Sequence, residues 1–342
     1  MEPVCKVPIR NLFCLLSYAN EMPELVESLN EVNEDLITYD FLAKQFLREV
    51  NVLKQRGIIR NYVAVTEETN RVGGRILMGE SIPHIMARRA SLVCEKDEYS
   101  EDILLNQIMK TILQGIVQNR YVKAETRQQS FLRLEALQGV SEVPLTTGMF
   151  TRLRLDRQNI RYQRMVHMAR LLHELRLLSH QQGNWSLFSA KVTERALHQI
   201  FEKFLFHFYR LEQSVYKVSS EVMRWNLDGE TKWLPTMRTD ISMTNRNGQD
   251  KIIMDAKFYR NMFQENYGKA SFHSHNLYQL YTYLMHQSRE MRLRGILVYP
   301  FNGVEVNEVF RAGERMTMEV MTLNLDAPWQ EIHNRLIMVV QA

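Results

Sequence analysis

Residues 237–257 read MRTDISMTNRNGQDKIIMDAK, and this stretch decides the fold around it. Its Asn247–Gly248 dipeptide is the favoured sequence of a two-residue type I′ turn between antiparallel strands. With that turn, the residues flanking the dipeptide pair with each other, and the same register places Asp240 directly opposite Asp255. Side chains in such opposed positions lie about 4.5–5.5 Å apart at Cβ. The stretch therefore predicts a hairpin that brings two carboxylates together.

A lysine joins the two carboxylates on the same side of the sheet. Lys257 follows two residues after Asp255, so strand alternation directs both side chains to one face. Two opposed carboxylates repel each other unless a cation is bound between them. Mg²⁺ removes this repulsion, because it binds one or two carboxylates together with water and phosphate oxygens. A neighbouring lysine can orient or deprotonate an attacking water and stabilise developing negative charge. These residue types predict Mg²⁺-dependent hydrolysis of a phosphodiester.

A surface ion pair between Asp240 and Lys257 is the alternative interpretation, and it is the commoner meaning of an arbitrary D…DxK pattern. Asp255, however, follows the apolar run 252–254, which is typical of a buried strand. Asp240 is flanked by the apolar Ile241, and the order of elements around the hairpin suits a nuclease core. We therefore favour a functional site at this hairpin.

Helical and extended patterns follow one another around the hairpin. Beyond residue 185 they predict a helix, three extended segments, a helix, a strand, two further extended segments and a terminal helix. These elements cover residues 192–211, 215–223, 235–244, 250–258, 275–287, 295–300, 304–310, 315–325 and 328–340. The order is typical of an α/β sandwich and not of a doubly wound sheet.

The first half of the chain gives a mixed α+β pattern. Helices are predicted at residues 41–53, 103–117 and 158–179. Extended segments flank a glycine turn at Gly73–Gly74, and a turn cluster, SHQQGN, occupies residues 179–184. We therefore predict two domains: a mixed α+β N-terminal domain over 1–184 and an α/β domain over 185–342.

The composition is that of an ordinary globular protein. Of 342 residues, 45% are apolar and 24% are charged, and the net charge of +4 permits nucleic-acid binding without requiring it. The three cysteines, Cys5, Cys14 and Cys94, form no CxxC pair, which excludes a zinc ribbon and favours a reducing cytosol. The sequence has no signal-peptide pattern, membrane-spanning run or GxxxxGK[ST] loop. We expect a soluble, cytoplasmic protein that has no membrane contact and does not itself hydrolyse nucleotides.

Seven further segments accompany the hairpin in a recognisable combination. They are 7–11 (VPIRN), 18–19 (YA), 74–76 (GRI), 201–205 (FEKFL), 258–259 (FY), 273–280 (HSHNLYQL) and 297–300 (LVYP). The hairpin itself resembles the PD-(D/E)xK nuclease motif. With these segments the chain resembles, over nearly its whole length, the McrC family of nuclease subunits from McrBC modified-cytosine restriction systems. One position departs from the motif: Thr239, and not a proline, precedes Asp240, while Pro235 lies five residues before it.

The resemblance implies a fold and a set of site residues. Residues 185–342 would form a PD-(D/E)xK, restriction-endonuclease-like α/β core. In that core Asp240 and Asp255 are metal ligands, Lys257 is the catalytic lysine, and the backbone carbonyl of Ala256 also reaches the metal. The implied metal is Mg²⁺, with Mn²⁺ as a substitute.

Two further elements of the site follow from the same resemblance. Related nucleases often add an acid from the first helix of the core, and the candidates here are Glu202 and Glu194, which share a helix face. We favour Glu202 as the additional catalytic residue. Gln279 and Tyr283 resemble the QxxxY element that supports many such sites, although an ordinary amphipathic helix explains this pair equally well.

The resemblance also implies a division of labour. The chain would be the DNA endonuclease subunit of a modification-dependent restriction system of the 5-methylcytosine type. A separate McrB-like AAA+ GTPase hexamer would recognise and translocate double-stranded DNA carrying modified cytosine. This chain would bind that hexamer through its N-terminal domain, stimulate the GTPase and cut both strands. Arg75, beside the Gly73–Gly74 turn, is either a contact to the motor or a residue that ties down the turn.

Two other classes of function remain open. A stand-alone repair or recombination nuclease with the same core would cut DNA without a motor partner. A non-catalytic regulator would keep the fold and only control the motor, but the intact Asp240, Asp255 and Lys257 argue against it.

Overall fold

The computed structural model describes most of the chain, which divides into two compact units. The described residues are 7–27, 39–180, 194–225, 228, 230, 232–259, 262–266, 269–288 and 290–341. Unit 1 combines Met1–Ile37 with Leu178–Ala342, and unit 2 is Thr38–Leu177.

Helices and strands are mixed in both units, so the predicted α/β class is confirmed at this level. The helices in the described residues are α1 (Ile9–Ala19), α2 (Glu24–Glu27), α3 (Tyr39–Gln55), α4 (Met78–Met86), α5 (Leu104–Gln118), α6 (Ala124–Leu134), α7 (Thr147–Arg152), α8 (Gln163–His180), α9 (Glu194–Glu212), α10 (Ser274–Met285) and α11 (Trp329–Gln341). The strands there are β1 (Asn61–Thr69), β2 (Arg75–Ile76), β3 (Leu92–Ser100), β4 (Tyr216–Ser219), β5 (Val222–Met223), β6 (Met237–Arg238), β7 (Ile241–Asn245), β8 (Asp250–Ala256), β9 (Phe263–Asn266), β10 (Lys269–Phe272), β11 (Arg292–Pro300), β12 (Asn307–Ala312) and β13 (Met316–Leu323).

Unit 1 is organised around a mixed sheet. Within the described residues this sheet has six strands in the order β12-β13-β11-β8-β7-β4. Strand β11 runs parallel to β8 and β13, whereas the β7–β8, β4–β7 and β12–β13 pairs are antiparallel. The central strands β8 and β11 are almost entirely buried, as their continuous apolar runs require, while the edge strand β12 is exposed along its length.

Helix α10 covers one face of this sheet. Its Leu280 and Leu284 join a core with Ile253 of β8 and Leu297 of β11. The helix approaches β11 closely at Gly295, where an added Cβ would lie 2.7 Å from the side chain of Leu284. Because Ile253 and Asp255 are two residues apart on β8, the same face also carries Asp255.

The opposite face of the sheet contacts the C-terminal helix. Arg294 of β11 donates two hydrogen bonds to Glu319 of β13, at 2.8 and 3.0 Å, and a third to the carbonyl of Val339 in α11. Tyr209 of α9 donates to the carbonyl of Leu336 in α11. Helix α11 is therefore bonded both to β11 of the sheet and to helix α9.

Helix α1 belongs to unit 1, although the sequence analysis placed all of residues 1–184 in an N-terminal domain. Its Tyr18 donates a 2.5 Å hydrogen bond to Glu212 of α9 and lies edge-on against Phe204. Asn11 donates to the backbone carbonyl of Leu325, at 2.8 Å. The buried apolar face of α1 is completed by distant segments, which local sequence patterns do not reveal.

Unit 2 combines helices with a small sheet of order β1-β3-β2 in the described residues. A buried hydrogen-bond network holds its centre: Tyr162 accepts from the backbone amide of Ile59 at 3.0 Å and donates to Asn106 at 3.1 Å. Asn106 in turn donates to the carbonyl of Ile59 at 2.9 Å. Helix α4 lies on β3 through Ser81, which bonds to the backbone of Val93 in that strand.

The predicted hairpin has the expected register and a different turn. Thr244 pairs with Lys251 and Ile241 with Met254, as the two-residue turn required. Gly248, however, donates to the carbonyl of Asn245, and Asn247 does not adopt the positive φ of a type I′ turn. The side-chain oxygen of Asn247 instead accepts a hydrogen bond from the backbone amide of Gln249, and this bond stabilises a wider loop. The predicted turn type was therefore wrong.

No helix within the described ranges is long and apolar enough to span a lipid bilayer.

Candidate active site

Asp240 and Asp255 meet where the β7–β8 ladder ends. Asp255 is the sixth residue of β8, and Asp240 directly precedes β7. Asp240 Oδ2 accepts a 3.1 Å hydrogen bond from the backbone amide of Ala256, which places its carboxylate against the end of the neighbouring strand. The structure thus brings the two predicted carboxylates together.

Asp255 is a buried carboxyl group with a charged neighbour. The residue is fully buried. Burial and the nearby Asp240 carboxylate both raise the pKa of Asp255, and the Lys257 ammonium only partly offsets them. In the absence of a bound cation, this position therefore favours a protonated carboxyl far more than a surface aspartate does.

Lys257 is the third predicted residue, and it lies beside Asp255. Its Nζ is 2.7 Å from Asp255 Oδ2, and the side chain is largely buried. Burial alone would lower the pKa of Lys257, but the facing Asp255 carboxylate outweighs this effect and the pKa is raised. The lysine is therefore held as an ammonium, and its direct role is to place positive charge in the site.

Helix α10 holds Lys257 through a chain of hydrogen bonds. Lys257 Nζ donates to Gln279 Oε1 at 3.0 Å, and Gln279 Nε2 donates to Tyr283 Oη at 2.8 Å. Tyr283 in turn donates to the backbone carbonyl of Arg238 at 2.8 Å, two residues before Asp240. The Gln279–Tyr283 pair, which the sequence could not separate from an ordinary helix pattern, connects the lysine to the backbone two residues before the first aspartate.

Thr239 anchors the backbone that delivers Asp240. Thr239 stands where the PD-(D/E)xK motif has its proline, directly before Asp240, and it is fully buried. Its hydroxyl accepts from the amide of Glu221 and lies 2.9 Å from the hydroxyl of Ser242, while its carbonyl accepts from Ser220. These side-chain bonds fix the backbone ahead of Asp240, so the departure from the motif leaves a defined local geometry.

Glu202 faces the same group of charges from helix α9. Burial raises the pKa of Glu202, and the Asp240 carboxylate raises it further against the opposing charges of Arg238 and Lys257. Glu202 is therefore electrostatically part of the site. The side chain of Glu194, the other predicted candidate, lies outside the described residues.

The donor set fits a divalent cation held mainly by two aspartates. Across the described ranges, no three His, Cys, Asp or Glu side chains converge as a metal-binding cluster, so Glu202 does not complete a triad with Asp240 and Asp255. Apart from its ion pair with Lys257, Asp255 accepts no well-directed hydrogen bond from the described side chains or backbone. A buried carboxylate with unfilled lone pairs next to a second carboxylate is the environment that a hard cation completes.

A second polar pair, which was not predicted from the sequence, borders the site. Asn276 of α10 donates to the hydroxyl of Tyr299 at the end of β11, at 2.9 Å, and both side chains are buried. Burial, together with the charge of Asp255, raises the pKa of Tyr299 to about 12 although Asn276 acts against it. The signal in the sequence was an asparagine on the apolar face of α10, where a buried amide needs a partner.

The fold and site together define a class: an α/β protein with a mixed sheet and an Asp–Asp–Lys group at the end of an antiparallel strand pair, in which one aspartate and the lysine are buried. Within that class the chain is identified by its sequence. Residues 8–300 match the model of the family described as "McrBC 5-methylcytosine restriction system component". The match covers well over half of the chain, which therefore belongs to this family.

The chain is also similar to individual proteins. The chain is 26% identical over 343 residues to the Type IV methyl-directed restriction enzyme EcoKMcrBC of Escherichia coli (strain K12), covering 98% of this chain and 97% of that protein. It is also similar, at 19% identity and a TM-score of 0.48, to a chain in the tetradecameric assembly of Thermococcus gammatolerans McrB AAA+ hexamers with bound McrC, covering 97% of this chain and 76% of that one. A second match, to the McrBC complex of the same organism, has 22% identity and a TM-score of 0.37 over 61% of this chain and 60% of that one.

Proposed function

We propose that this chain is the DNA endonuclease subunit of a modification-dependent restriction system of the 5-methylcytosine type. The observation that carries the proposal is the convergence of Asp240, Asp255 and Lys257 in a chain of the McrBC family. The fold around them is then a PD-(D/E)xK nuclease core, and the substrate is double-stranded DNA that carries modified cytosine.

The site residues have distinct parts in this reaction. Asp240 and Asp255, with the backbone carbonyl of Ala256, would hold Mg²⁺, or Mn²⁺ in its place. When bound, the ion polarises a scissile phosphate and acidifies a water molecule. Lys257 stabilises negative charge that develops on the phosphate, because its raised pKa keeps it an ammonium. Glu202 adds a further acid at the edge of the site, available to position a water or hold a proton.

Gln279 acts through Lys257 and does not itself touch the reacting atoms. Its carbonyl oxygen accepts from Nζ of Lys257, and Tyr283 fixes the orientation of its amide. The lysine therefore keeps a second acceptor besides Asp255 when that carboxylate is engaged by a cation. A lysine held between two acceptors loses less entropy in reaching its working position than a free one would.

Unit 2 is the part of the chain that we assign to docking on a McrB-like AAA+ GTPase hexamer. Helix α4 presents an apolar stripe to solvent, although it packs on β3 through the buried Ser81. The stripe consists of Met78, Ile82, Ile85 and Met86, all exposed by 49% or more. An exposed apolar stripe on a helix is typical of a surface that a partner covers.

The decisive experiment combines the chain with a McrB-like GTPase from the same source. Cleavage of methylated and unmethylated plasmid is compared in GTP and Mg²⁺, with and without the GTPase. We expect cleavage only of methylated plasmid and only with both proteins present. Cleavage by this chain alone, without regard to methylation, would establish a stand-alone nuclease instead. No cleavage combined with stimulated GTP turnover would establish a non-catalytic regulator.

A further inference from the structure

A basic cleft lies in unit 1 on the side of the sheet away from Asp255. It has a volume of about 610 Å³ and is bordered by strands β8, β11, β12 and β13 and helix α11. A second cavity of about 560 Å³ adjoins it and shares Arg292 and Arg315 in its lining. We call the first cavity, which lies where β8, β11 and β13 begin, the arginine cleft.

The position of the arginine cleft separates it from the candidate active site. Ile252 and Asp255 alternate along β8, so the wall formed by Ile252 is on the opposite face from the catalytic carboxylate. The cleft also begins at Asp250, five residues and roughly 17 Å along the strand from Asp255. A duplex held at Asp255 does not pass through this groove without bending around the sheet.

The charges around the cleft are unbalanced. Two of the arginines in its wall are committed to acids: Arg292 pairs with Asp250 at 2.5 Å, and Arg294 pairs with Glu319. Three further arginines have no acidic partner in the described structure; they are Arg311, Arg315 and Arg335. The remaining acid in the wall is Glu314.

The arginines without acidic partners keep donors for a ligand. Arg335 donates to Asn307 at 2.8 Å, and Arg315 donates to the carbonyl of Glu290 at 3.3 Å. Each contact uses one of five guanidinium N–H groups and orients the side chain without neutralising it. Arginines that are fixed in direction and retain free donors are suited to bidentate recognition of phosphate oxygens.

We propose that the arginine cleft binds phosphate groups of a nucleic-acid backbone that lies outside the catalytic site. An open cleft with several arginines in its lining fits successive phosphates of a strand better than one compact anion. The cleft then holds a second DNA segment or the DNA that flanks the cut. This inference rests on the proposed function, because it takes nucleic acid to be the ligand of the chain.

The test measures binding without cleavage. The full-length chain is titrated in EDTA with a fluorescein-labelled 20-base-pair duplex over a range of salt concentrations. The variant Arg311→Ala/Arg315→Ala removes two cations from the cleft. The control Arg210→Ala/Lys217→Ala removes the same charge from exposed positions of unit 1 that do not line the cleft.

We expect the cleft variant to lose about tenfold in affinity, with a salt slope reduced by about two, and the control to stay within about twofold. The Arg311→Lys/Arg315→Lys variant should recover part of the affinity through its charge. Equal affinity of the cleft variant and the control would overturn the proposal. Arginine-dependent binding of inorganic pyrophosphate or poly-glutamate, with unchanged duplex affinity, would reassign the cleft to a small phosphate or an acidic protein segment. Because the assay contains no divalent metal, a failure of the proposed nuclease activity does not affect its result.

Discussion

Lys257 and Asp255 form a largely buried ion pair with Nζ 2.7 Å from Oδ2, in which the carboxylate is fully buried and the lysine side chain is 10% exposed. The lysine has a second acceptor in Gln279, whereas the carboxylate has a second carboxylate, Asp240, beside it. Removing the negative charge of Asp255 therefore leaves Lys257 hydrogen-bonded, while removing Lys257 leaves two carboxylates without a counter-ion. The two substitutions should have different effects on folding.

The first prediction concerns Asp255→Asn. We expect cleavage to fall about 100-fold or more, because a charged ligand of the site is lost. The variant should fold and still stimulate the GTPase, since the amide has the volume of the carboxyl. Circular dichroism, GTP turnover and plasmid cleavage are measured on the same preparation. Near wild-type cleavage in Mg²⁺ would remove Asp255 from the site.

A second prediction compares Lys257→Met with Asp255→Asn in chelator. Lys257→Met leaves the buried Asp255 and Asp240 facing each other without a cation, which should cost about 3–5 kcal/mol of unfolding free energy. Asp255→Asn should cost clearly less. Urea denaturation in EDTA gives both values. A Lys257→Met variant as stable as Asp255→Asn would mean that solvent or rearrangement already relieves the carboxylate pair.

The third prediction concerns the metal. Cleavage should require Mg²⁺ or Mn²⁺ and should fail with Ca²⁺, which prefers more ligands and looser geometry than two carboxylates and a phosphate offer. Mg²⁺ at about 100 times its Kd should also stabilise the folded chain by about 2.7 kcal/mol. Asp255→Asn should lose this stabilisation. Full activity after exhaustive chelation would remove the metal from the mechanism.

The predictions that agree best with the structure are those based on short-range sequence patterns. Apolar periodicity located α3 and α5 to within two residues at either end, and the hairpin register was recovered because the Asn247–Gly248 dipeptide lies at the centre of the loop between β7 and β8. The same register predicts that Asp240, Asp255 and Lys257 lie together, as they do in the structure. Local patterning thus accounted for the centre of the site.

Features that depend on distant segments were not recovered. The assignment of α1 to unit 1 depends on the contact of Tyr18 with Glu212, nearly two hundred residues away. The role of Gln279 depends on its spatial contact with Lys257, which a QxxxY spacing alone does not establish.

The turn at Asn247 is a local feature that was also mispredicted. Hydrogen bonds of the Asn245 and Asn247 side chains to nearby backbone amides, and not the dipeptide preference, determine its backbone conformation.

The fourth prediction tests the buried network of unit 2. Tyr162→Phe should destabilise the chain by about 2–3 kcal/mol, because it leaves the amide of Ile59 and the carbonyl oxygen of Asn106 without their partner. Burial raises the pKa of Tyr162 above its usual value. Its contribution to stability is therefore complete below about pH 10, the pKa of a free tyrosine, and is lost as pH rises through the higher folded value. Denaturant unfolding of wild type and variant from pH 8 to 11 should show the difference shrinking at the alkaline end.

The last prediction concerns which unit engages the motor. Helix α1 packs within unit 1, so residues 38–177 form a better test fragment than the predicted N-terminal domain of residues 1–184 would. Between β1 and β2 the tip is shaped by Gly74, which has φ +72 and no room for a Cβ, since one would lie 2.2 Å from the carbonyl oxygen of Glu95. Arg75 beside it is largely exposed. Its ion pair with the Glu95 carboxylate is long, at 3.8 Å, so the guanidinium remains available to a carboxylate or phosphate of a partner. We expect residues 38–177 to bind and stimulate a McrB-like GTPase, and residues 185–342 to do neither.

Two substitutions within unit 2 sharpen that test. Ile82→Ser/Met86→Ser makes the exposed stripe of α4 polar and should weaken binding of the fragment to the GTPase without unfolding it. Arg75→Ala should reduce stimulation of GTP turnover more than binding if the guanidinium reaches the nucleotide pocket, and should change neither if Arg75 only ties down the turn. GTP turnover and pull-down are measured at matched concentrations, with Lys54→Ala, an exposed change at the end of α3, as the control. Stimulation by residues 185–342 alone would move the docking surface onto the unit that carries Asp240 and Asp255.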